Sequence, residues 1–389
     1  MDLLKNERIE KANVGDVHEM INLYRMVYGK NYPIKYGTDP DLLRSAIENT
    51  EGHLVLIARD FAQNVITGAI ITEIDKDNRI GRLLGLVVHP QFQKNKIGNR
   101  LVVHVSDYFL EQNNEIDSLY ATTRTISVGP QRIFIKNGYL PLGIFPNSHR
   151  LTQYETVSLF ARYRKGFLER RQLDFEISQT AVPMYSILKQ FYKNLAIPKL
   201  CKNVELTPND PNEAAWEYEI IRAPSYVYRR FIQQFPEAKD RFFPFHKPNI
   251  IIADKEGRIE IFAYFNKKDG YCTLINATKP ITEVKGGLSS LYMILDDIGV
   301  CYLELIVDAS KSESIETLYN GQFVPCALYP AMREVDGHLI DYLVMSRTME
   351  PLNFKGMAII PQFKPYIDYY VDTWKQVNLE SIEVIYDSN

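Results

Sequence analysis

The sequence predicts a mixed α/β fold with two successive mixed β-sheets, each flanked by helices. Two β-meanders, at residues 53–88 and 250–276, consist of short apolar runs separated by Asn, Asp and Gly turns. Segments with apolar residues three and four positions apart follow each meander, and these indicate helices that pack on a sheet. A third observation is that the second half of the chain repeats the order of elements of the first.

The composition is that of a globular protein large enough to bury an extensive core. The 389 residues are 46% hydrophobic, and the formal net charge of -3 gives no general attraction to nucleic acid or to an anionic membrane. The start of the chain lacks the order of a signal peptide, and no apolar run has the length of a membrane span. We therefore expect a cytoplasmic protein. The cysteines are far apart, so we expect free thiols and no metal site; they are Cys201, Cys272, Cys301 and Cys326.

The first half begins with a strand at residues 8–12, followed by a helix that starts at a cap in residues 13–16 and ends near Tyr28. A second helix from Asp39 to Ile47 precedes the three strands of the first meander. The remaining predicted elements are a helix after Gly98, a strand at 116–122, a helix at 131–137, and strands at 139–145 and 152–163. This order places helices on both faces of one mixed sheet.

A segment suited to anion binding follows the third strand of this meander. The apolar strand 86–88 leads through a polar loop into a helix whose first turn contains Gly98. The free N–H groups and the positive dipole end of a helix start can hold a phosphate. Lys94, Lys96 and Arg100 would add positive charge around it.

This loop and the order of elements resemble the GNAT superfamily of acyl-CoA-dependent N-acyltransferases over roughly residues 7–165. Gln93 and Gly98 match the family pattern Q/R-x-x-G-x-G/A, and the segment Gly138–Gly143 is similar to the later G-F-x-x-x-G signature. The resemblance implies a domain that binds an acyl-CoA, expected to be acetyl-CoA, as co-substrate. It also implies transfer of the acyl group to an amine of a small molecule or peptide.

By position, the resemblance also implies which residues bind the acyl-CoA. In this family the pantetheine arm pairs with the fourth strand, the pyrophosphate lies on the loop that follows, and the thioester lies where the fourth strand separates from the fifth. The backbone N–H of Val88 would then polarise the thioester carbonyl. The implied binding residues are Leu86, Val87, Val88, Gln93, Lys94, Asn95, Lys96, Ile97, Gly98, Asn99 and Phe134.

Three positions depart from the family pattern. Lys96 replaces the first Gly of the loop, where a non-Gly residue at positive φ costs about 1 kcal/mol or more, so the loop could have a different shape. Gly85 stands where a Glu base is frequent, and Phe134 stands where a Tyr acid is frequent. Glu73 on the third strand is the remaining candidate base, although exposure to solvent is more usual for such a residue. Alternatively, an amine that arrives deprotonated needs only alignment.

Several other polar residues have both a functional and a structural interpretation. His89 could act in catalysis, but its position favours packing of the turn. The charged stretch Arg162–Arg171 could bind phosphate or nucleic acid, but the low net charge favours a solvated linker. Four hydroxyl residues could orient a substrate, although capping of the next helix is the more usual role; they are Thr122, Thr123, Thr125 and Ser127.

The second half of the chain repeats this pattern. Segments 138–146 and 322–330 agree at their aromatic, aliphatic and proline positions. Further strands are predicted at 250–253, 258–265, 271–276, 301–307 and 339–345, with helices at 283–298 and 312–319. The chain therefore resembles a tandem pair of GNAT-like domains. The second copy is degenerate because its loop lacks the motif, Pro280 removes a backbone donor and Glu283 adds negative charge.

We therefore expect a GNAT-like acyl-CoA-binding domain at 1–165, a linker with a helix at 166–202, a degenerate GNAT-like domain at 203–349 and a tail with an amphipathic helix at 350–389. The tail helix would pack on the core or form a homodimer contact. The expected function is N-acyltransfer from acyl-CoA, with the second domain shaping the acceptor cleft and with neither nucleic acid nor membrane as partner. The alternatives are a non-catalytic acyl-CoA-binding or interaction protein, or two domains that jointly bind a larger donor such as an acyl carrier protein.

Overall fold

The structure is a computed structural model that describes residues 7–29, 32–150, 153–202, 204, 206 and 216–379, with only the main chain of Lys94. Residue contacts divide the chain into two compact units. The first unit comprises Met1–Thr123, Gly129–Leu140 and Phe160–Leu168; the second comprises Arg124–Val128, Pro141–Leu159 and Glu169–Asn389. The domain boundaries predicted above were based on the sequence repeat and not on residue contacts, and they remain a prediction. Thr152 of a predicted strand and residues 380–389 of the tail lie outside the described residues.

The elements of the first half confirm the predicted order. Its strands are β1 (Glu7–Lys11), β2 (His53–Asp60), β3 (Val65–Asp75), β4 (Ile80–Val88), β5 (Ser118–Arg124), β6 (Leu140–Arg150) and β7 (Tyr154–Tyr163). Its helices are α1 (Val17–Tyr28), α2 (Pro40–Glu48), α3 (Ile97–Asp107) and α4 (Val128–Lys136). The strand order is β1-β2-β3-β4-β5-β7-β6, and β4 and β5 run parallel.

Helices α1 and α2 start where the sequence places their caps. Asn13 forms a capping box with Asp16 before α1, and the Asp39 carboxylate accepts hydrogen bonds from the first N–H groups of α2. The two helices bury their apolar faces against Ile57 on β2 and Ile71 on β3. Because strand side chains alternate between faces, His53 and Glu73 lie on this same face of the sheet.

Helix α3 packs on the opposite face of the sheet at close range. A Cβ atom on Gly68 of β3 would lie 2.7 Å from the side chain of Ile97, at the start of α3, and 3.2 Å from that of Leu101. A larger residue at this position would therefore push the helix start away from the sheet. The small residue fixes the position of the loop that precedes α3.

The charged stretch Arg162–Arg171 is not a solvated linker, so that interpretation is wrong. The Arg164 guanidinium donates hydrogen bonds to four main-chain carbonyls at the end of the preceding helical segment, those of Phe109, Leu110, Asn113 and Ile116. Arg171 is buried and pairs with the buried carboxylate of Asp341, to which Tyr185 also donates a hydrogen bond. Charged side chains are buried here because each has an opposite charge or several acceptors.

The segment that follows contains β8 (Glu176–Ile177), α5 (Val182–Phe191) and β9 (Lys199–Leu200), and β8 and β9 form a two-stranded parallel sheet. The second half has strands β10 (Tyr218–Ile221), β11 (Ile250–Asp254), β12 (Glu260–Asn266), β13 (Tyr271–Ala277), β14 (Tyr302–Asp308), β15 (Val324–Val335) and β16 (His338–Thr348). Its helices are α6 (Pro224–Gln234), α7 (Leu288–Asp297), α8 (Ser312–Asn320) and α9 (Lys364–Leu379). The strand order is β10-β11-β12-β13-β14-β16-β15, which is the order found in the first half.

The sequence prediction was incomplete or shifted at four places in this half. It listed no strand for β10 or β15 and no helix for α6, and it started the helix α7 about five residues too early, before Gly286 and Gly287. Two short 3₁₀ turns occupy that interval because two glycines in succession disfavour a regular helix. The tail helix α9 buries Tyr366 and Tyr370, and Tyr366 donates a hydrogen bond to the Pro141 carbonyl. The core-packing alternative for this helix is thus confirmed.

Strands β6 and β15 approach each other closely at one point. Gly143 on β6 pairs antiparallel with Ala327 on β15. A Cβ atom on Gly143 would overlap with the carbonyl oxygen of Cys326 and the Cα atom of Ala327, all within the second compact unit. Only glycine permits this approach.

We expect Gly143→Ala to lower the free energy of unfolding by about 2 kcal/mol or more, because the added methyl group must displace backbone atoms. Gly257→Ala is the matched control in the same unit, since no atom lies within 4 Å of its Cβ position and only a left-handed φ of 76° is strained. That strain costs about 1 kcal/mol. Denaturant unfolding of both variants checks the difference, and equal losses would contradict this account.

Candidate active site

A β-bulge interrupts strand β4 at the centre of the first unit. Ala69 and Ile71 of β3 pair with Val87 and Leu84, so two residues of β4 lie opposite one residue of β3. Gly85 lies in this bulge with a φ of 63°, and a Cβ atom there would lie 2.8 Å from the Tyr24 hydroxyl. Any larger residue would therefore be strained and would clash with Tyr24. The absence of a carboxylate at this position has a steric cause.

Strands β4 and β5 separate just before the bulge. Their parallel pairing runs from Ile80 and Ser118 to Leu83 and Ala121, whereas β4 continues to Val88 and β5 to Arg124. His89 donates its N–H to the Thr67 carbonyl on β3. Since backbone groups alternate in direction along a strand, the N–H of Val88 points to the other edge, where β5 has diverged. Leu86 and Val88 are half-buried there, next to the Gly98 position on α3.

The loop after β4 forms a short 3₁₀ helix, Pro90–Asn95, that ends at Lys96. The His89 side chain accepts a hydrogen bond from the Gln91 N–H (3.3 Å) and packs edge-on against Phe92, so His89 shapes the turn. Lys96 adopts a left-handed conformation with φ 58° and ψ 19°. The chain thus takes, with a lysine, the conformation for which a glycine is normally used.

Helix α3 begins directly after Lys96 and fits an anion at its start. It has no side-chain cap and no acidic residue in its first turn, so its first N–H groups remain available to a ligand. Gln93 and Lys96 are exposed, whereas Ile97 and Gly98 are buried against the sheet. Arg100 differs from the sequence interpretation because its guanidinium pairs with the Glu7 carboxylate on β1.

Two further residues that the resemblance implies in acyl-CoA binding, Asn99 and Phe134, are held in place by α4 and by the residue that follows it. Asn99 accepts a hydrogen bond from the Asn137 side chain (3.1 Å), which also donates to the Ile133 carbonyl. Phe134 is only 4% exposed and packs against the rings of Tyr139 and Phe160. The aromatic ring at this position therefore belongs to a packed cluster and carries no proton donor.

Glu73 lies in a row of polar side chains that crosses β2, β3 and β4. The Tyr36 hydroxyl donates to Glu73 Oε1 (2.9 Å) and contacts His53 Nε2 (2.9 Å), while Arg82 Nε donates to Glu73 Oε2 (2.5 Å). Glu73 is 9% exposed, so the expectation that it is exposed to solvent was wrong. Its burial is tolerated because Arg82 supplies the opposite charge.

A series of four tyrosines covers this face of β4, and the sequence analysis did not identify it. Tyr24, Tyr28, Tyr32 and Tyr36 recur every four residues from α1 into the following turn. Tyr24 donates its hydroxyl to the Gly85 carbonyl (2.6 Å) and Tyr28 to the Leu86 carbonyl (2.7 Å). Tyr32 stacks on Tyr28 with ring centroids 4.2 Å apart. The four-residue spacing of Tyr24 and Tyr28 was the signal in the sequence, because it aligns these two side chains on one face of α1. Tyr32 and Tyr36 lie beyond the end of this helix.

The corresponding loop of the second half differs at the start of α7. A Cβ atom on Gly287 would lie 2.6 Å from the indole of Trp216, and it would overlap the Tyr218 hydroxyl. Aromatic side chains therefore fill the space next to this helix start. Pro280 precedes the first 3₁₀ turn, and Glu283 lies in that turn.

Comparison with known proteins assigns a family to part of the chain. Residues 17–138 match the Acetyltransferase (GNAT) family. This range contains the β4 bulge, the loop after it and α3, and a GNAT acetyltransferase domain is thus present in the first half. No curated protein sequence matches the chain.

Solved structures with partial similarity include three acetyltransferases. The ribosomal-protein-S5-alanine acetyltransferase from Vibrio fischeri is 12% identical over 42% of this chain and 95% of its own, with a TM-score of 0.37. A ribosomal L7/L12 alpha-N-protein acetyltransferase in complex with coenzyme A is 14% identical over 41% and 96%, with a TM-score of 0.36. The spermidine N-acetyltransferase from Vibrio cholerae in complex with CoA and spermine is 16% identical over 41% and 96%, with a TM-score of 0.36.

Two general features of the described residues complete this description. Among them, no helix combines the length and the apolarity needed to cross a bilayer. Cys272, Cys301 and Cys326 are buried thiols, as expected, whereas Cys201 is half-buried.

The polar row generates a prediction about pH. Burial lowers the pKa of the His53 imidazole below its usual range. The unfolded chain therefore binds a proton more readily than the folded protein, and stability falls as the pH drops below the unfolded pKa of about 6.5. We expect the melting temperature of the wild type to fall more steeply from about pH 7 to about pH 5 than that of His53→Gln. Equal slopes in thermal melts would contradict this expectation.

Proposed function

Since residues 17–138 form a GNAT acetyltransferase domain, we propose that the protein transfers an acyl group, in the first place acetyl, from acyl-CoA to an amine. The observation that carries this proposal is the arrangement around β4. A bulged strand separates from its parallel neighbour and leads, through a short 3₁₀ helix, to a helix start without a side-chain cap. The acceptor is a small-molecule or peptide amine, and we propose a cytoplasmic location.

The proposed donor site uses the residues that the sequence indicated. The edge of β4 at Leu86–Val88 would pair with the pantetheine arm, and the main chain from Gln93 to Asn99 would hold the pyrophosphate. Two features support this assignment: the Val88 N–H points to the open edge of β4, and Lys96 adds positive charge at the helix start. Phe134 would contribute a packed apolar wall, since its ring is enclosed by Tyr139 and Phe160.

Glu73 is the proposed proton acceptor for the amine. It pairs with Arg82, three residues before Gly85, so it lies about 10 Å along the strand from the bulge. Proton transfer over this distance would need intervening water. The Arg82 guanidinium and the Tyr36 hydroxyl hold the two carboxylate oxygens and so fix the orientation of the side chain.

The second half is proposed to be a degenerate copy of the first. Two features support this proposal: the strand order is the same, and the parallel pair β13 and β14 is also joined by four residue pairs, from Tyr271 and Tyr302 to Leu274 and Leu305. The aromatic side chains beside Gly287 would exclude a pyrophosphate from the corresponding helix start. We therefore expect one donor site per chain.

Binding at the loop is tested by thermal melting with acetyl-CoA. We expect acetyl-CoA at a hundredfold excess over its dissociation constant to stabilise the wild type by about 2.7 kcal/mol, seen as a higher melting temperature. Gly98→Trp should abolish this shift, because its side chain would have to enter the space between Val88 and Ile133. Lys96→Glu, at an exposed position, should weaken it by charge repulsion.

Met293→Trp is the matched control for these variants, because it adds an indole at a 63% exposed helical position of the second half. It should retain the full shift. If the wild type shows no shift, both acyl transfer and the non-catalytic binding alternative fail. If acetyl-CoA raises the melting temperature of only the wild type and the control, binding at the loop is supported. Release of free CoA thiol with a panel of primary amines would then indicate an enzyme, and no release would indicate a binding protein.

Replacement of the proposed base gives a further test. Glu73→Gln should lower kcat about 100-fold with little effect on the acetyl-CoA shift, because general bases contribute about this factor to proton transfer. Steady-state thiol release at saturating acetyl-CoA measures it. A loss below about threefold would contradict the assignment and leave alignment of a neutral amine as the source of the rate.

A further inference from the structure

Acyl transfer from a thioester needs a proton donor for the departing thiolate, and the described residues around β4 restrict which group can serve. Phe134, at the position where the family often has a tyrosine, has no exchangeable proton. Two hydroxyl groups that donate to the main chain at the bulge come from α1. These are the phenols of Tyr24 and Tyr28, and their acceptors are consecutive carbonyls of β4.

The two hydroxyls differ in their access to solvent. Tyr24 is completely buried and its hydroxyl donates to the Gly85 carbonyl, which the bulge turns out of the regular ladder. Tyr28 is 39% exposed, and its hydroxyl donates to the Leu86 carbonyl at 2.7 Å. A proton donor must be replenished after each turnover, so the exposed phenol is suited to this role and the buried phenol is suited to holding the bulge.

Stacking limits the movement of Tyr28. Its ring lies parallel to that of Tyr32, with a centroid distance of 4.2 Å and an interplanar angle of 5°. Tyr32 in turn packs against Gly37, where a Cβ atom would lie 2.6 Å from the ring. A phenol held in this way keeps its hydroxyl next to Leu86 in the bulge. The family resemblance implies that the thioester lies near this point, where β4 separates from β5.

We propose that Tyr28 is the general acid of the acyl transfer, which rests on the proposed function. The amine nitrogen attacks the thioester carbonyl carbon, the C–S bond breaks, and its electron pair remains on sulfur. The Tyr28 hydroxyl gives its proton to that sulfur, and CoA leaves as the thiol. The proton lost by the amine passes through Glu73 to water, and water returns one proton to the Tyr28 phenolate. No other reactant is consumed.

The test is Tyr28→Phe, which keeps the ring and its stacking and removes only the hydroxyl. We expect kcat to fall about 100-fold, while the KM for the amine and the melting shift with acetyl-CoA stay within about twofold. The solvent deuterium isotope effect on kcat should also become smaller, because the phenol proton no longer moves in the slow step and only the transfer of the amine proton remains. A variant that only disturbed the strand would change acetyl-CoA binding as well.

Tyr226→Phe is the matched control, since Tyr226 is 46% exposed on α6 in the other unit, and it should behave as the wild type. If Tyr28→Phe equals this control in kcat, the assignment to Tyr28 falls and the acyltransferase function stands. If the wild type itself releases no CoA thiol with any amine, the proposed function falls and this assignment falls with it. A loss of acetyl-CoA binding in Tyr28→Phe that accounts for the whole rate decrease would also overturn the assignment.

Discussion

The bulge in strand β4 is the constraint on which the site depends. One extra residue opposite β3 turns the Gly85 carbonyl out of the ladder, and a buried carbonyl must find a donor elsewhere. The Tyr24 hydroxyl supplies it and leaves no room for a side chain at residue 85. Helix α1 is thereby tied to the middle of the sheet. The bulge therefore explains both why residue 85 carries no carboxylate and why Tyr24 of α1 lies against β4.

Sequence reasoning predicted the elements around this site because their local signals agree with the fold. These signals are the caps at Asn13 and Asp39, the turns of the meander and the loop leading to Gly98. At each of them a turn or cap residue coincides with a change in the spacing of the hydrophobic residues along the chain. Sequence reasoning failed where burial depends on a distant partner. The burial of Glu73 requires Arg82 and Tyr36, and that of Arg171 requires Asp341. Such pairings are not visible in local sequence.

The candidate site shows the same limit on a smaller scale. The left-handed Lys96 follows from its place in the motif, whereas the pairing of Arg100 with Glu7 depends on where β1 lies. The spacing of the tyrosines was visible in the sequence, but the sequence could not show that Tyr24 and Tyr28 reach two consecutive carbonyls of β4. A pattern of residues therefore predicted the conformation of the loop better than it predicted the contacts of these side chains, because the contacting groups come from separate elements.

The close approach of β6 and β15 has a consequence for symmetry. Gly143 and Ala327 occupy equivalent positions when segments 138–146 and 322–330 are aligned, and they are also the residues that pair across the two strands. When a two-fold axis relates two copies of a strand, the copies pair antiparallel, and at the axis a residue pairs with its equivalent in the other copy. The pair of Gly143 and Ala327 has this arrangement. A protein with a single copy of this hairpin could form the same pair with a second chain. If the second half is a degenerate copy, as proposed, fusion of the two copies would make that contact intramolecular and independent of protein concentration.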